Sequence, residues 1–342
     1  MERKPTLDDI AHLAGVGKGT ASRVINGGTH VRKETREKVM KVINDLGYRP
    51  SSAARRLSRR VPLRSVGVLE SVLTAPAFVD RLRGIQDVIE SKEKFELTLY
   101  SCTSPERLKQ KLDHIADMHT VEALIVVDLD VSEDQRARLA SAGVTLVSIS
   151  NAAGSGPQVG IDDERGGYVA TRYLLELGHK RIAYLGDVFP DPFGFKTSRN
   201  RYRGYVQALE DAGLSIGQEY VQLGKHGKAE AQAMCATLLS LPDRPTAIFA
   251  MTDIQALGCL EAAREAKVNV PQDLSIIGFD DIEASSHVGL TTVTQHLSES
   301  GRVATQYVLG VLEGRRTGDP PSLPDVEVVV RRTTCPPREE GQ

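Results

Sequence analysis

The 342-residue chain has none of the long apolar runs that place a protein in a membrane. No run approaches the roughly 18 residues that cross a bilayer, and the first 30 residues lack the apolar segment of a secretory signal. Cysteine is scarce and forms no C-x-x-C pair, which argues against a zinc site or a disulfide framework. The cysteines are Cys102, Cys235, Cys259 and Cys335. We expect a cytoplasmic protein with reduced thiols, no metal, no cofactor and no membrane partner.

Signatures of common enzyme classes are also missing. The chain has no complete phosphate-binding loop, no G-x-S-x-G and no H-E-x-x-H. The segment GVGKGT at residues 15–20 resembles the end of a phosphate-binding loop, but His12 stands where that loop needs a glycine. An amphipathic helix, rather than a buried strand, is predicted before it. We therefore expect no catalytic residues and keep a nucleotide-binding enzyme as an alternative.

Charge is unevenly distributed along the chain, although the net formal charge is only −2. Residues 1–60 hold 14 Lys and Arg against 6 Asp and Glu, a net charge of +8. The remaining residues hold 29 against 39, a net charge of −10. A basic module on an acidic body indicates a polyanionic partner for the module, because Lys and Arg release condensed counterions when they neutralise phosphates.

Residues 1–49 show the pattern of three short helices. Thr6 is a candidate N-cap with an acidic residue three positions later, and apolar residues follow at helical spacing. A second helix is predicted from about Lys18 to Asn26, and a third ends at Gly47. The side chains of the second helix that the core does not need include cations and hydrogen-bonding groups suited to bases and phosphates. The pattern predicts a helix-turn-helix domain that binds DNA.

Four segments of this module carry a family resemblance: TLDDIAHLAGV at 6–16, TASRVIN at 20–26, ETREKV at 34–39 and LGYRP at 46–50. They closely resemble the lactose/galactose-repressor (LacI/GalR) family of bacterial transcription regulators. The resemblance implies that a homodimer binds double-stranded operator DNA, with Lys18 and Arg23 at base-reading positions. The implied DNA-binding residues are Lys18, Thr20, Ser22, Arg23, Asn26, His30, Ser51, Ala54 and Leu57.

Residues 50–63 are predicted to form a hinge between module and body. The segment PSSAARRLSRR begins with a proline suited to a helix start, but so short a helix is not stable alone in water. The resemblance implies that this segment becomes helical on operator DNA, where Leu57 wedges into a minor-groove step. Ser51 departs from the Asn of many relatives. The alternative is a solvated basic linker.

From residue 64 onward, short β-branched runs alternate with amphipathic stretches, which predicts parallel sheets. The alternation stops at a Gly/Ser-rich stretch near residue 154 and then restarts, so we predict two doubly wound α/β halves. The resemblance extends over the body, and the halves look like those of periplasmic binding proteins. We assign residues 1–49 to the helix-turn-helix domain, 50–63 to the hinge and 64–342 to an effector-binding and dimerisation domain. Its N-terminal subdomain would cover about 64–160 and 293–324, and its C-terminal subdomain about 161–292 and 325–342.

The resemblance also implies an effector site in the cleft between the two halves. Its landmarks are GIDDERGG at 160–167, LGHKRIA at 177–183, RYRGY at 201–205, GFDDI at 278–282 and TTVTQ at 291–295. The implied effector-binding residues are Asp162, Arg201, Thr252, Asp280 and Gln295, with Phe78, Phe193 and Phe195 as candidates to cover the apolar face of a sugar ring.

Each of these assignments has a structural alternative. Asp162 and Asp280 follow predicted strands and could cap helices, and Phe193 and Phe195 could pack a loop. The acidic run at 162–164 could suggest a metal site, but carboxylates at a helix start more often complement its dipole.

The nature of the effector and the oligomeric state are the least constrained predictions. Two amide side chains that are common in the family are absent at Ala75 and Thr252. We expect a carbohydrate effector, and an oligosaccharide in particular, with a purine or another metabolite as the alternative. We expect a homodimer rather than a tetramer, because no heptad repeat follows the last predicted strand.

Overall fold

A computed structural model describes residues 6–25, 31–46, 63–150, 156–190, 196–215 and 217–338. The chain divides into two compact units, one of residues 1–64 with 93–96 and one of residues 65–92 with 97–342. The predicted fold class, a helical N-terminal domain followed by two parallel-sheet α/β subdomains, is confirmed. None of the helices in the described ranges is both long enough and apolar enough to span a bilayer.

The helix-turn-helix unit contains helices α1 (Leu7–Leu13), α2 (Lys18–Ile25) and α3 (Lys33–Asp45). Thr6 is the N-cap of α1, as predicted: its hydroxyl accepts from the Asp9 backbone N–H, and the Asp9 carboxylate accepts from the Thr6 N–H at 2.7 Å. This reciprocal pair satisfies two backbone donors that the first turn leaves free. The buried core of the unit consists of Ile10, Ala11, Ala21, Val24 and Val39. The predicted helix ends at Asn26 and Gly47 lie outside the described residues.

The N-terminal subdomain is built on a five-stranded sheet with the order β2-β1-β3-β4-β5. Strands β1, β3, β4 and β5 pair in parallel, so the loops after them emerge at one edge. Its strands are β1 (Arg64–Glu70), β2 (Phe95–Ser101), β3 (Ala123–Val127), β4 (Thr145–Ile149) and β5 (Gln158–Val159). Its helices are α4 (Pro76–Glu90), α5 (Pro105–Met118), α6 (Glu133–Ser141) and α12 (Leu297–Leu312).

The C-terminal subdomain is built on a six-stranded sheet with the order β11-β10-β9-β8-β6-β7, in which only β11 is known to run antiparallel to its neighbour. Its strands are β6 (Ile182–Asp187), β7 (Val221–Gly224), β8 (Ala247–Ala250), β9 (Ser275–Asp280), β10 (Thr291–Thr294) and β11 (Glu327–Val329). Its helices are α7 (Asp163–Glu176), α8 (Thr197–Asp211), α9 (Lys228–Leu239), α10 (Asp253–Glu265) and α11 (Glu283–Val288).

Two pairs of helices pack backbone against backbone through glycine. A Cβ atom on Gly84 of α4 would overlap the carbonyl oxygen of Ser298 in α12. A Cβ atom on Gly204 of α8 would likewise overlap the carbonyl oxygen of Glu164 in α7. These close contacts fix α4 and α8, the helices that carry the two buried arginines of the cleft.

Candidate functional site

A polar cavity of about 150 Å³ lies between the two sheets of the body. Strand ends supply part of its wall, since β4 and β9 end at Ile149 and Asp280, and Asp128 and Gln295 directly follow β3 and β10. Parallel sheets of this kind bind ligands at the carboxyl ends of their strands. Helices α4, α7 and α8 add Arg81, Asp163 and Arg201, and the N-cap of α10 adds Thr252.

Arg201 lies at the centre of the C-terminal wall and is 3% exposed. Its Nε donates to Asp163 at 2.8 Å, and one terminal nitrogen donates to the Met251 carbonyl at 2.7 Å and to Asp280 at 3.3 Å. Burial disfavours the charged guanidinium, but the carboxylates of Asp163 and Asp280 outweigh it and raise the pKa of Arg201. The arginine therefore stays protonated, and its guanidinium also stacks 3.6 Å from the ring centroid of Phe279.

Gln295 joins Arg201's partner to the opposite wall. Its amide N–H donates to Asp280 at 2.6 Å, and its amide oxygen accepts from Arg81 at 2.8 Å. Arg81, which is 7% exposed, donates in addition to Asp128 at 2.9 Å. A continuous chain of charge-assisted hydrogen bonds thus crosses the cleft from α4 to α8.

A third polar group occupies the C-terminal wall at His226. Its Nδ1 lies 3.0 Å from the carboxylate of Asp187, which also accepts from the Gln255 amide at 2.7 Å. The hydrogen bond to Asp187 raises the pKa of His226 above the ordinary histidine value, although burial opposes the shift. Three arginine or histidine side chains of the cavity wall therefore each have a carboxylate partner.

The structure brings together four of the predicted effector-binding residues. Arg201, Thr252, Asp280 and Gln295 all line the cavity. Thr252 is also the N-cap of α10, where its hydroxyl accepts from the Gln255 backbone N–H. The capping alternative for Asp280 does not hold, because its carboxylate accepts from Arg201 and Gln295 while the N-cap of α11 is Ile282.

Two other predicted residues do not reach the cavity. Asp162 is exposed and caps α7 by accepting from the Arg165 N–H at 2.9 Å, so its capping alternative describes its role. Phe78 is 1% exposed and absent from the cavity lining, because it points into the core on the buried stripe of α4. Phe193 and Phe195 lie outside the described residues.

Sequence reasoning missed four residues that the cavity contains: Arg81, Asp128, Asp163 and His226. Two of them carried a usable signal. Arg81 falls on the buried face of an otherwise amphipathic helix, where an unpaired arginine would be costly. Asp128 directly follows a buried strand at the ligand-binding edge of a parallel sheet. No clear signal distinguished Asp163 from its exposed neighbour Asp162.

The helix-turn-helix unit presents one face of α2 to solvent. Lys18, Gly19 and Arg23 are exposed, and Thr20 and Ser22 are half-buried, while the alternate face packs in the core. Lys18 donates to Asp8 at 2.9 Å, and the Nε of Arg23 donates to the Gly19 carbonyl at 3.2 Å. The other predicted DNA-binding residues, Asn26, His30, Ser51, Ala54 and Leu57, lie outside the described residues.

Family comparisons place both parts of the chain. The model named "Bacterial regulatory proteins, lacI family" matches residues 6–51, and the model named "Periplasmic binding protein-like domain" matches residues 171–334. The chain is 32% identical over 311 residues to the HTH-type transcriptional repressor PurR of Haemophilus influenzae (strain PittEE), covering 89% of this chain and 90% of the relative. It is 32% identical over 309 residues to Catabolite control protein A of Priestia megaterium, covering 89% and 91%.

Solved structures agree with this comparison. The transcriptional regulator CelR in complex with cellobiose is 30% identical, with a TM-score of 0.68 over 96% of this chain and 99% of that one. The lac repressor dimer bound to operator and the anti-inducer ONPF is 25% identical, with a TM-score of 0.70 over 97% and 100%. The helix-turn-helix unit and the two-sheet body with its polar cleft define a DNA-binding transcriptional regulator. The chain belongs to the lacI family of bacterial regulatory proteins.

Proposed function

We propose that the protein is a homodimeric repressor whose affinity for operator DNA is controlled by a neutral carbohydrate bound in the cleft. Relatives with the names of repressors support the first part, and the cellobiose complex of CelR and the dimeric lac repressor on its operator support the second and third. The charge balance inside the cavity carries the choice of ligand.

The buried cations of the cavity are already neutralised by the protein. Arg201 lies between Asp163 and Asp280, and Arg81 donates to Asp128. A phosphorylated or carboxylated effector would have to displace one of these carboxylates from its arginine and leave it unpaired, which is costly in a buried site. A neutral polyol needs no such exchange, because each hydroxyl can accept from an arginine and donate to a carboxylate at the same time.

A purine effector is the second candidate, and the described part of the wall gives it less support. Its apolar lining residues are alkyl rather than aromatic: Ala75, Pro76, Ala77, Ile149, Ile161, Ile254 and Leu323. A purine binds most favourably when an aromatic ring stacks on its face. Phe193 and Phe195, the aromatic candidates from the sequence, lie outside the described residues.

For DNA binding, we propose that the exposed face of α2 enters the major groove. Lys18 and Arg23 would read base edges, and Thr20 and Ser22 would contact phosphates. Their exposure, opposite a face that is buried in the core, supports this assignment. We propose phosphate or groove contacts for Asn26 and His30 and hinge contacts for Ser51, Ala54 and Leu57 on the family resemblance alone.

Thermal shift and calorimetric titration of the full chain would test the ligand class. The panel would contain D-glucose, D-ribose and cellobiose as neutral sugars, with hypoxanthine and D-glucose 6-phosphate as contrasts. A sugar at about 100 times its Kd should stabilise the folded protein by about 2.7 kcal/mol, and it should change affinity for an operator selected from random DNA. Binding of hypoxanthine or the sugar phosphate without binding of any neutral sugar would overturn the proposal.

A further inference from the structure

The sequence R-x-R-G occurs in both subdomains at corresponding places. Residues 81–84 read RLRG in α4, the helix after β1, and residues 201–204 read RYRG in α8, the helix after β6. In each copy the first arginine is buried, at 7% exposed for Arg81 and 3% for Arg201. The second arginine of each copy, Arg83 or Arg203, is exposed.

The two copies also pack in the same way. The glycine that ends each motif lies against the backbone of a partner helix, α12 for Gly84 and α7 for Gly204. The partner helix returns a glycine of its own: Gly301 lies against the Arg81 carbonyl oxygen, and Gly167 lies against that of Arg201. Matching backbone packing on both sides directs both arginine side chains to the cavity, from opposite walls.

Each arginine meets a carboxylate at the cavity, but their hydrogen bonding differs. Arg201 uses its Nε on Asp163, whereas the Nε of Arg81 is buried and has no hydrogen-bond partner among the described residues. The terminal nitrogens of Arg81 donate to Asp128 and Gln295. Buried donors are almost always paired in folded proteins, so this one marks a position where an added oxygen would improve the site.

We propose that Arg81 is a second effector-binding arginine, which contacts the ligand on the wall opposite Arg201. This inference rests on the proposed function, a neutral carbohydrate in the cleft. The effector is then held by one arginine and aspartate pair at each edge, Arg81 with Asp128 and Arg201 with Asp280. Such a site selects a sugar ring with free hydroxyls on two opposite edges, because each pair offers donors and an acceptor to neighbouring hydroxyls.

The competing role for Arg81 is purely structural. Through Gln295, which follows β10 and precedes α12, Arg81 could hold the crossover between the subdomains without touching a ligand. The two roles differ in their response to the ligand's own hydroxyl groups. A structural arginine affects all ligands alike, whereas a contacting arginine is sensitive to a particular hydroxyl.

The test is calorimetric titration of the full chain and of Arg81→Met, Arg201→Met and Arg203→Met with D-glucose, D-ribose and cellobiose, followed by monodeoxy analogues of the sugar that binds. The exposed Arg203 provides the matched control from the same motif. We expect the first two variants to bind at least about tenfold more weakly and Arg203→Met to bind like the wild type. Loss of one hydroxyl should weaken the wild type but not Arg81→Met, and loss of a different hydroxyl should behave likewise for Arg201→Met.

Three results would overturn the inference. Wild-type affinity in Arg81→Met would assign Arg81 no ligand contact, and an undiminished response to every deoxy analogue would make it structural. Failure of the wild type to bind any of the three sugars would overturn the proposed function, and this inference with it. If Arg81→Met does not fold, Arg81→Lys keeps the charge with different donor geometry, and the same deoxy series applies to it.

Discussion

The guanidinium of Arg201 lies 2.8 Å from the carboxylate of Asp163, and both side chains are 3% exposed. Asp162, the residue before it, is exposed and caps α7 instead. Two neighbouring carboxylates at one helix start therefore have different roles: one compensates a buried charge, and the other satisfies a backbone donor of the first turn.

This difference predicts unequal effects of the same substitution. Asp163→Ala should lower the free energy of unfolding by about 3–5 kcal/mol, because it removes a partner from a buried cation. Asp162→Ala should cost only about 0.5–2 kcal/mol, the value of an N-cap. Urea unfolding of both variants measures the difference, and equal losses would mean that the ion pair contributes no more than the cap.

The buried carboxyl of Glu70, 6% exposed, predicts a pH dependence of stability. Burial and then the nearby Asp128 carboxylate raise the pKa of Glu70 from 4.5 to about 7. Between these values the folded protein binds more protons than the unfolded chain, so the free energy of unfolding should fall as pH rises through this range.

Glu70→Gln should reduce that slope, because the amide does not titrate. The slope should not vanish, since burial and then the Asp280 carboxylate also raise the pKa of Asp253 to about 7. Chemical unfolding from pH 4.5 to 7 measures it, with the exposed Glu164→Gln as the control. A Glu70→Gln profile parallel to that of the wild type would contradict the assignment.

Lys18 is paired with Asp8 on the face of α2 that we expect to meet DNA, and the two side chains are 62% and 66% exposed. Such a pair contributes about 0–1 kcal/mol, and it must open if Lys18 is to reach a base. Asp8→Asn should therefore strengthen operator binding by up to about tenfold, since it also removes a negative charge from the DNA-facing surface.

Fluorescence anisotropy at several salt concentrations measures this effect. Asp45→Asn, an equal charge change at the exposed end of α3, is the control for the general electrostatic contribution. If both variants gain affinity equally, the contact between Asp8 and Lys18 has no specific influence on DNA binding.

Arg23 provides a separate test of base reading. Arg23→Ala should cost about 1–3 kcal/mol on the preferred operator and relax the preference at one base pair in each half-site. Selection of binding sites from random DNA by the variant measures the preference. An unchanged consensus sequence would exclude Arg23 as a base-reading residue.

Local signals in the sequence were sufficient for much of the fold. Thr6 and Asp9 form the predicted capping box, because both partners of that interaction lie within one helical turn. The alternation of β-branched runs and amphipathic stretches predicted both parallel sheets, because connections between parallel strands require a crossover, usually a helix. These features depend on spacing along the chain, which the sequence states directly.

The sequence by itself also determined part of the cleft, since the family resemblance identified Arg201, Thr252, Asp280 and Gln295. Only the tertiary structure decided that Asp163 rather than Asp162 faces Arg201, and that Arg81 joins them through Gln295. The reason is physical. Arg81 and Gln295 are 214 positions apart, and strand order together with close helix packing at glycines brings them together, whereas helical periodicity specifies only which residues share a face and not what that face meets.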